Sequence, residues 1–295
     1  MLSVHLIIHN LRSAIRNLKL KYWPLIKSLQ TGLLLGTGLA GYMTARCPIF
    51  NLPTIIGLAA SLFLAISGST VLNMWYDRDV DIRMKRTCNR PLASGHVLPN
   101  EALRLGLVLS LFGVGISVAM NPLYGLVVFA GLFFDVAIYT IWLKRRTAWS
   151  IVWGGISGGM PILAGRVLGL GYLDSIGILL ASAVLFWIPT HILTFAMRYF
   201  DDYQAAGIPI IPSVYGFKAT RLVIAASSMM AALSIAAAGV LTGMRWGYVR
   251  LLAVMSAGLF ILAVSSLMQP SERINFGLFK YASLYMLSAM ILISI

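Results

Sequence analysis

The sequence predicts an all-α, polytopic membrane protein with nine transmembrane helices around a central cavity. Of its 295 residues, 59% are apolar and only 11% are charged, whereas a soluble domain carries about 25% charged residues. Uncharged stretches also recur along the chain, at 28–45, 54–76, 105–120, 123–134, 147–165, 175–197, 222–244, 251–271 and 281–295. At roughly 20 residues per crossing, nine helices use about 180 residues and leave short loops. The composition therefore argues against a soluble globular enzyme.

The positions of the basic residues predict how the bundle is oriented. Lys and Arg are dense before residue 28, at 83–90, at 144–146 and after the sixth stretch, and sparse in the turns between. Because cytoplasmic loops carry the excess of positive charge, we expect a multi-pass protein of the cytoplasmic membrane, with its N-terminus inside and its C-terminus outside. The net charge of +14 lies in these loops and implies no nucleic-acid partner.

Two regions follow from the same pattern. Residues 1–27 mix basic and apolar side chains and predict an amphipathic segment on the inner membrane surface. Residues 28–295 contain no polar linker and predict a single nine-helix domain.

The acidic residues are the most informative about function, because there are only nine of them. Five lie at 77–81 and 201–202, each group at the inner end of an apolar stretch. On a helix, Asn73, Asp77 and Asp81 fall within about 80° and form one polar stripe, whereas Asp79 points away, as a solvated or arginine-paired residue does. Carboxylates near a membrane core cost about 2.5–3.5 kcal/mol each, so the stripe requires a neutralising cation.

The stripe is followed by basic residues that suit a phosphate group. Oxygen donors without nearby His or Cys favour Mg²⁺, which commonly binds one or two carboxylates plus substrate phosphates. Lys85, Arg86 and Arg90 come directly after the stripe. These features predict a metal–diphosphate site, although a transporter or channel can use the same stripe, and a single intramembrane Asp can also serve helix packing.

A second polar segment leaves the sixth stretch with Arg198, Asp201 and Asp202. An acidic pair at the same membrane face can complete metal coordination from the other side. His191 lies ten residues before Asp201, about 15 Å along a regular helix. It is either a ligand or proton-transfer group or a hydrogen-bonded core histidine.

These motifs resemble the UbiA superfamily of intramembrane prenyltransferases. The resemblance rests on Asn73-x-x-x-Asp77-x-x-x-Asp81 with Met84-Lys-Arg86-Thr87-x-x-Arg90-Pro91-Leu92, and on the stretches 139–147, 189–191 and 202–209. Within the superfamily the chain is most similar to the branch that farnesylates heme, since Arg198 stands where other branches carry a second acidic motif. It departs from that branch at Met160, Arg166, Ile192 and Leu193, which lie in or near the expected acceptor pocket.

The resemblance implies a site in which Mg²⁺ binds farnesyl diphosphate and heme B is the acceptor. It assigns catalysis to Asp77, Asp81 and Asp202, and the metal to Asn73, Asp77, Asp81, Asp201 and Asp202. It assigns the diphosphate to Lys85, Arg86, Arg90, Lys144, Arg145 and Arg198, the heme to His191, and the prenyl cation or chain to Trp75, Tyr76, Tyr199 and Tyr203. It also implies that heme O passes to a heme A synthase or an oxidase-assembly partner.

Two other functions remain open from the residues. A prenyltransferase with another aromatic or isoprenoid-lipid acceptor shares the diphosphate site but does not need His191. A cation-coupled carrier uses the stripe for transport and makes no product.

Overall fold

The structure is a computed structural model that describes residues 21–45 and 51–294, and every regular element in these ranges is helical. A short 3₁₀ turn at Trp23–Leu25 precedes the first long helix. The helices are α1 (Ser28–Met43), α2 (Leu52–Asp81), α3 (Pro99–Met120), α4 (Pro122–Phe133, continued as a π-helix over Phe134–Leu143), α5 (Ser150–Leu170), α6 (Ser175–Arg198), α7 (Phe200–Ala205), α8 (Ile211–Leu241), α9 (Trp246–Met268) and α10 (Glu272–Ser294).

Eight of these helices are long and apolar enough to cross a membrane, which confirms a multi-pass membrane protein. They are α2, α3, α4 with its π-helical part, α5, α6, α8, α9 and α10. The first predicted span corresponds to α1, which has only 16 residues. Most of the predicted amphipathic segment, residues 1–20, lies outside the described residues.

The polar stripe lies on one continuous helix, as predicted. Helix α2 runs for 30 residues without a break. Asn51 caps its first turn by accepting a hydrogen bond from the Thr54 amide. Because the helix continues to Asp81, residues at four-residue intervals stay on one face up to its C-terminal end.

Small residues bring neighbouring helices into close contact. A Cβ added to Gly41 of α1 would lie 2.0 Å from the Ile162 carbonyl oxygen of α5, and one added to Gly159 would lie 2.6 Å from the Ala181 carbonyl oxygen of α6. Only glycine allows the backbones to approach this closely. The glycine-rich stretch 154–159 therefore serves helix packing.

A buried ion pair connects α1, α5 and α6 at the end of the bundle that lies away from the polar stripe. Arg166 donates to both carboxylate oxygens of Asp174 at 2.8 and 2.7 Å, and to the Thr44 carbonyl at 2.5 Å. The side chain of Arg166 is 6% exposed. Arg166 therefore completes a structural contact, and Asp174 also caps α6 through the Gly177 amide.

Helix α4 changes from α-helical to π-helical at Phe134 and stays so to Leu143. Hydrogen bonds in a π-helix run from residue i to i+5, so its turns are wider than those of an α-helix. Asp135 and Lys144, nine residues apart, would be about 180° apart on an α-helix. With about 4.4 residues in each wider turn, the two instead fall on nearly the same face.

The two halves of the chain meet at the C-terminal end of α2. Val80 and Met84 form a buried cluster with Ala206 and Ile208, and Tyr203 packs against it. This contact places the acidic pair at 201–202 beside the loop that follows the polar stripe.

Candidate active site

Asp77 is the buried centre of the polar stripe. Its side chain is 5% exposed, and its Oδ2 forms an ion pair with Lys144 Nζ. Its other oxygen, Oδ1, is buried and accepts no hydrogen bond from the described residues. Arg145 Nη2 lies 3.8 Å from this oxygen. Asp77 therefore combines a neutralised carboxylate with one uncommitted ligand atom.

Asp81, one turn further along α2, is neutralised from the following loop. Arg90 Nη1 lies 2.8 Å from both carboxylate oxygens of Asp81, which is buried. The Thr87 hydroxyl donates to the Asp81 carbonyl at 3.0 Å and holds the loop close to the helix end. Two predicted ligands and two predicted diphosphate-binding cations thus form adjacent pairs.

Asn73 is held between two residues of the π-helix. Its Nδ2 donates to Asp135 Oδ2 at 2.7 Å, and its Oδ1 accepts from Thr140 Oγ1 at 2.8 Å. The Ser69 hydroxyl also donates to Asp135 Oδ2. Sequence reasoning missed Asp135 because α-helical periodicity does not place it beside the stripe.

Asp79 points away from the stripe and is paired with arginine, as predicted. Arg145 donates to its two oxygens at 2.7 and 2.9 Å and to the Tyr76 carbonyl at 2.8 Å. The Arg145 guanidinium also lies 4.6 Å from the Tyr76 ring centroid. In this structure Arg145 and Tyr76 are therefore engaged with each other.

The structure brings Asp202 to the basic loop, while Asp201 is exposed to solvent. Asp202 Oδ1 accepts from the Lys85 amide at 3.3 Å, and Oδ2 accepts from the Arg86 amide at 3.2 Å. The side chain of Lys85 is exposed beside it. The two acidic segments converge on this loop, and Asp202 meets backbone amides there.

Cations and aromatic rings alternate where α6 ends. Arg86 lies 4.9 Å from the Phe195 ring and 5.6 Å from the Tyr199 ring. Arg198 lies 6.0 Å from Tyr199 and 4.2 Å from Phe276 of α10. A cation over an aromatic face is attracted by the ring quadrupole. These cations are thus held in place by rings.

The remaining predicted aromatic residues lie apart from one another. Tyr203 packs in the cluster that joins the two halves. Trp75 packs against the cluster of Leu25, Val71 and neighbours. Its guanidinium partner is Arg78, at 5.4 Å. Trp75 is therefore directed away from the stripe, about 160° from Asp77 on the helix.

His191 stacks against two aromatic rings in the second half of α6. Its ring centroid lies 4.7 Å from that of Trp187 and 4.5 Å from that of Phe279 on α10, with both pairs nearly parallel. Its Nδ1 lies 3.1 Å from the Ser283 hydroxyl. A hydrogen bond to one ring nitrogen fixes the orientation of the other. Periodicity alone did not identify Phe279 or Ser283, because they come from α10.

Lys27 is another residue that sequence reasoning did not assign to the site. It precedes α1 with a φ of 48°, in the left-handed region that is uncommon for residues other than glycine. Burial lowers the pKa of its ammonium group to about 8, and the positive charges of Arg90 and Lys144 act in the same direction. Lys27 therefore adds a cation to the charged end of the bundle.

The donor set fits Mg²⁺ bound together with a phosphate ligand. Across residues 21–45 and 51–294, no group of three His, Cys, Asp or Glu side chains could hold a metal by itself. Mg²⁺ usually takes only one or two carboxylates and completes its shell with water and substrate phosphates. Asp77 and Asp81, with the uncommitted Oδ1, supply that number of ligands.

Two cavities lie elsewhere. One of about 410 Å³ lies between α8 and α9, and one of about 210 Å³ lies near Thr44 and Met244. None of the predicted site residues lines either cavity.

Comparison with known proteins agrees with this architecture. The profile of the UbiA prenyltransferase family matches residues 34–284. The chain belongs to the UbiA prenyltransferase family. This family member is 39% identical over 261 residues to a protoheme IX farnesyltransferase of Archaeoglobus fulgidus, covering 88% of this chain and 91% of the relative. It is 40% identical over 206 residues to a protoheme IX farnesyltransferase of Korarchaeum cryptofilum, covering 70% and 69%.

Solved structures show the same fold. A UbiA homolog from Archaeoglobus fulgidus bound to DMAPP and Mg²⁺ superposes with a TM-score of 0.69. The match covers 93% of this chain and 99% of that one at 17% identity.

Proposed function

We propose that this protein transfers the farnesyl group of farnesyl diphosphate to a vinyl group of heme B, giving heme O and pyrophosphate. The observation that carries the proposal is the pair of buried carboxylates, Asp77 and Asp81, each neutralised by a cation from a predicted diphosphate-binding position. Such pairs can exchange partners. With the substrate bound, Asp77 and Asp81 would hold Mg²⁺, and Lys144 and Arg90 would turn to the phosphate oxygens.

In this proposal Asp77 and Asp81 of α2 would supply the two carboxylate ligands of Mg²⁺. The other residues of the predicted metal set, Asn73 on α2 and Asp201 and Asp202 from the other half, would lie around the ion. When bound, the metal supplies Lewis-acid stabilisation of the departing oxygen. Cations arranged before the reaction stabilise growing negative charge without reorganising. The diphosphate-binding set is Lys85, Arg86, Arg90, Lys144, Arg145 and Arg198.

The chemistry balances as an ionisation followed by carbon–carbon bond formation. The allylic C–O bond breaks, and its electron pair leaves with pyrophosphate. The vinyl carbon of the acceptor attacks the farnesyl cation, and the new cation takes up water and loses a proton to give the hydroxyethylfarnesyl group. The rings of Tyr199, Tyr76 and Tyr203 would stabilise the cation by cation–π attraction. Trp75, the fourth predicted aromatic residue, faces away from Asp77 and would not take part.

The acceptor assignment draws on the relatives and on His191. Relatives at 39–40% identity are named protoheme IX farnesyltransferase. His191 is held in place by the stacked rings of Trp187 and Phe279 and by the Ser283 hydroxyl. We assign His191 to the heme, as an axial ligand or a positioning group.

The membrane arrangement belongs to the same proposal. Helix α1 serves as a ninth, short span, so that the N-terminus is cytoplasmic and the C-terminus outside. Lys144, Arg90 and the amide of Lys85 meet the acidic residues at one end of the bundle. Loops rich in Lys and Arg face the cytoplasm, so the site opens there in the cytoplasmic membrane. A heme A synthase or an oxidase-assembly partner would receive the product.

The proposal is tested by expressing the chain in cells that lack heme O and analysing heme extracts by mass spectrometry. We expect heme O with the wild type, none with Asp77→Ala or Asp81→Ala at equal membrane levels, and near-normal amounts with the exposed control Glu272→Gln. Absence of heme O above background refutes heme farnesylation, and activity of either alanine variant above about one tenth of wild type removes that residue from the site.

Purified protein separates the other two functions. Consumption of farnesyl diphosphate with Mg²⁺ but without heme B indicates another acceptor. Uptake of cations into vesicles without any product indicates a carrier.

A further inference from the structure

Asp135 is a half-buried carboxylate in the apolar, π-helical part of α4 that the proposed reaction does not use. Both of its hydrogen bonds come from neutral donors on α2, Asn73 Nδ2 at 2.7 Å and the Ser69 hydroxyl. A carboxylate within a membrane span is costly. A carboxylate at this position, beside the predicted metal ligand Asn73, is therefore expected to have a function that offsets this cost.

The Asp135 carboxylate sets the direction of both side-chain hydrogen bonds of Asn73. Asp135 Oδ2 accepts from the Ser69 hydroxyl and from Asn73, so the Asn73 atom that faces it is the amide nitrogen. The Asn73 oxygen must then face Thr140, whose hydroxyl donates to it at 2.8 Å. An amide oxygen has two lone pairs. One is used by Thr140, and the other stays available to a cation.

The π-helix makes this arrangement compatible with the neighbouring ion pair. Asp135 contacts Asn73, and Lys144, nine residues later, contacts Asp77 one turn further along α2. An α-helix would turn these two side chains to opposite faces. The wider turns of the segment Phe134–Leu143 allow both to face the stripe.

We propose that Asp135 is a positioning residue of the metal–diphosphate site, which holds the Asn73 amide so that its oxygen, and not its nitrogen, is presented to Mg²⁺. This inference rests on the proposed function, because it assumes that Asn73 binds the metal. Replacement of Asp135 by Asn removes the fixed acceptor. The Asn73 amide is then free to turn its nitrogen, which repels a cation, toward the metal.

The test measures metal binding directly. Mn²⁺ replaces Mg²⁺ because its free aqueous ion is visible by electron paramagnetic resonance, and an unreactive farnesyl thiodiphosphate occupies the diphosphate site. We expect Asp135→Asn to raise the half-saturating Mn²⁺ concentration at least tenfold. The matched control Asp174→Asn also removes a hydrogen-bonded carboxylate, at the other end of the bundle, and is expected to lower stability while leaving Mn²⁺ binding within twofold of wild type.

A double variant separates positioning from a direct role. In the Asn73→Ala background, adding Asp135→Asn should change the half-saturating concentration less than twofold. An unchanged value in the single Asp135→Asn variant overturns the inference, as does a full tenfold effect in the Asn73→Ala background. If wild type binds no Mn²⁺, or Asp77→Ala binds it normally, the proposed function itself fails.

If Asp135→Asn does not fold, Thr140→Val carries the test. It keeps the shape of the side chain but removes the hydroxyl that faces the Asn73 oxygen. We expect the half-saturating concentration to rise threefold or more, and an unchanged value overturns the inference.

Discussion

The ion pair between Lys144 and Asp77 allows a quantitative prediction about the stability of the protein without metal or substrate. Replacement of Lys144 by Met leaves the Asp77 carboxylate buried without its partner. Removing one member of a buried pair costs about 3–5 kcal/mol. The Lys144 side chain is 21% exposed, and Arg145 lies 3.8 Å from the other Asp77 oxygen. Both features reduce the loss, so we expect the lower end, about 3 kcal/mol.

Thermal unfolding in detergent without metal measures this loss. For a chain of this size about 1 kcal/mol corresponds to about 2 °C, so the expected fall in Tm is roughly 6 °C. The exposed Lys280, which lies 4.6 Å from the Phe276 ring, supplies a matched control. Lys280→Met should cost no more than about 1 kcal/mol.

A charge-removing double variant completes the test. Asp77→Asn combined with Lys144→Met leaves no uncompensated charge and should recover most of the lost stability. The reasoning is refuted if Lys144→Met unfolds within about 2 °C of wild type, or if the double variant is no more stable than the single one.

Three further outcomes follow from contacts elsewhere in the fold. His191→Ala should weaken heme binding more than farnesyl diphosphate binding in equilibrium titrations, because the ring stacks at the assigned acceptor surface. The hydrogen bond from Arg166 lowers the pKa of Asp174, so wild-type stability should fall as pH drops below about 4, whereas Asp174→Asn should lack this loss. Gly41→Ala should cost about 1–3 kcal/mol in unfolding assays because its Cβ meets the α5 backbone, unlike Gly36→Ala, which has no atom within 4 Å.

Each of these outcomes has a contrary result. Equal losses of both ligands in His191→Ala would separate that residue from the acceptor. A pH profile shared by wild type and Asp174→Asn would show that another group titrates. Equal stability of the two alanine variants would mean that α1 and α5 separate without cost.

The sequence predicted the features that depend on regular helical geometry. Apolar stretches located the long helices, and four-residue spacing placed Asp77 and Asp81 on one face and Asp79 on another. Contacts that depend on tertiary packing could not be read from one chain. Phe279 reaches His191 from the last helix, and Lys27 comes from a segment whose composition predicts only a membrane surface.

Local geometry explains the largest omission at the site. Sequence patterns were interpreted with 3.6 residues per turn, and on that basis Asp135 faces away from the residues that Lys144 meets. The segment from Phe134 to Leu143 is π-helical, a form too rare for hydrophobic periodicity to reveal. The length of the first helix was also not evident from the sequence. Helix α1 ends at Met43 after 16 residues, which is shorter than the usual membrane span.

If Asp202 binds a cation as proposed, its two long hydrogen bonds would connect ligand capture with loop movement. This carboxylate is occupied by the amides of Lys85 and Arg86, at 3.3 and 3.2 Å. A cation that draws Asp202 into its shell competes with those amides for the same lone pairs. The main chain that carries the basic side chains is then released at the moment when a phosphate must be received.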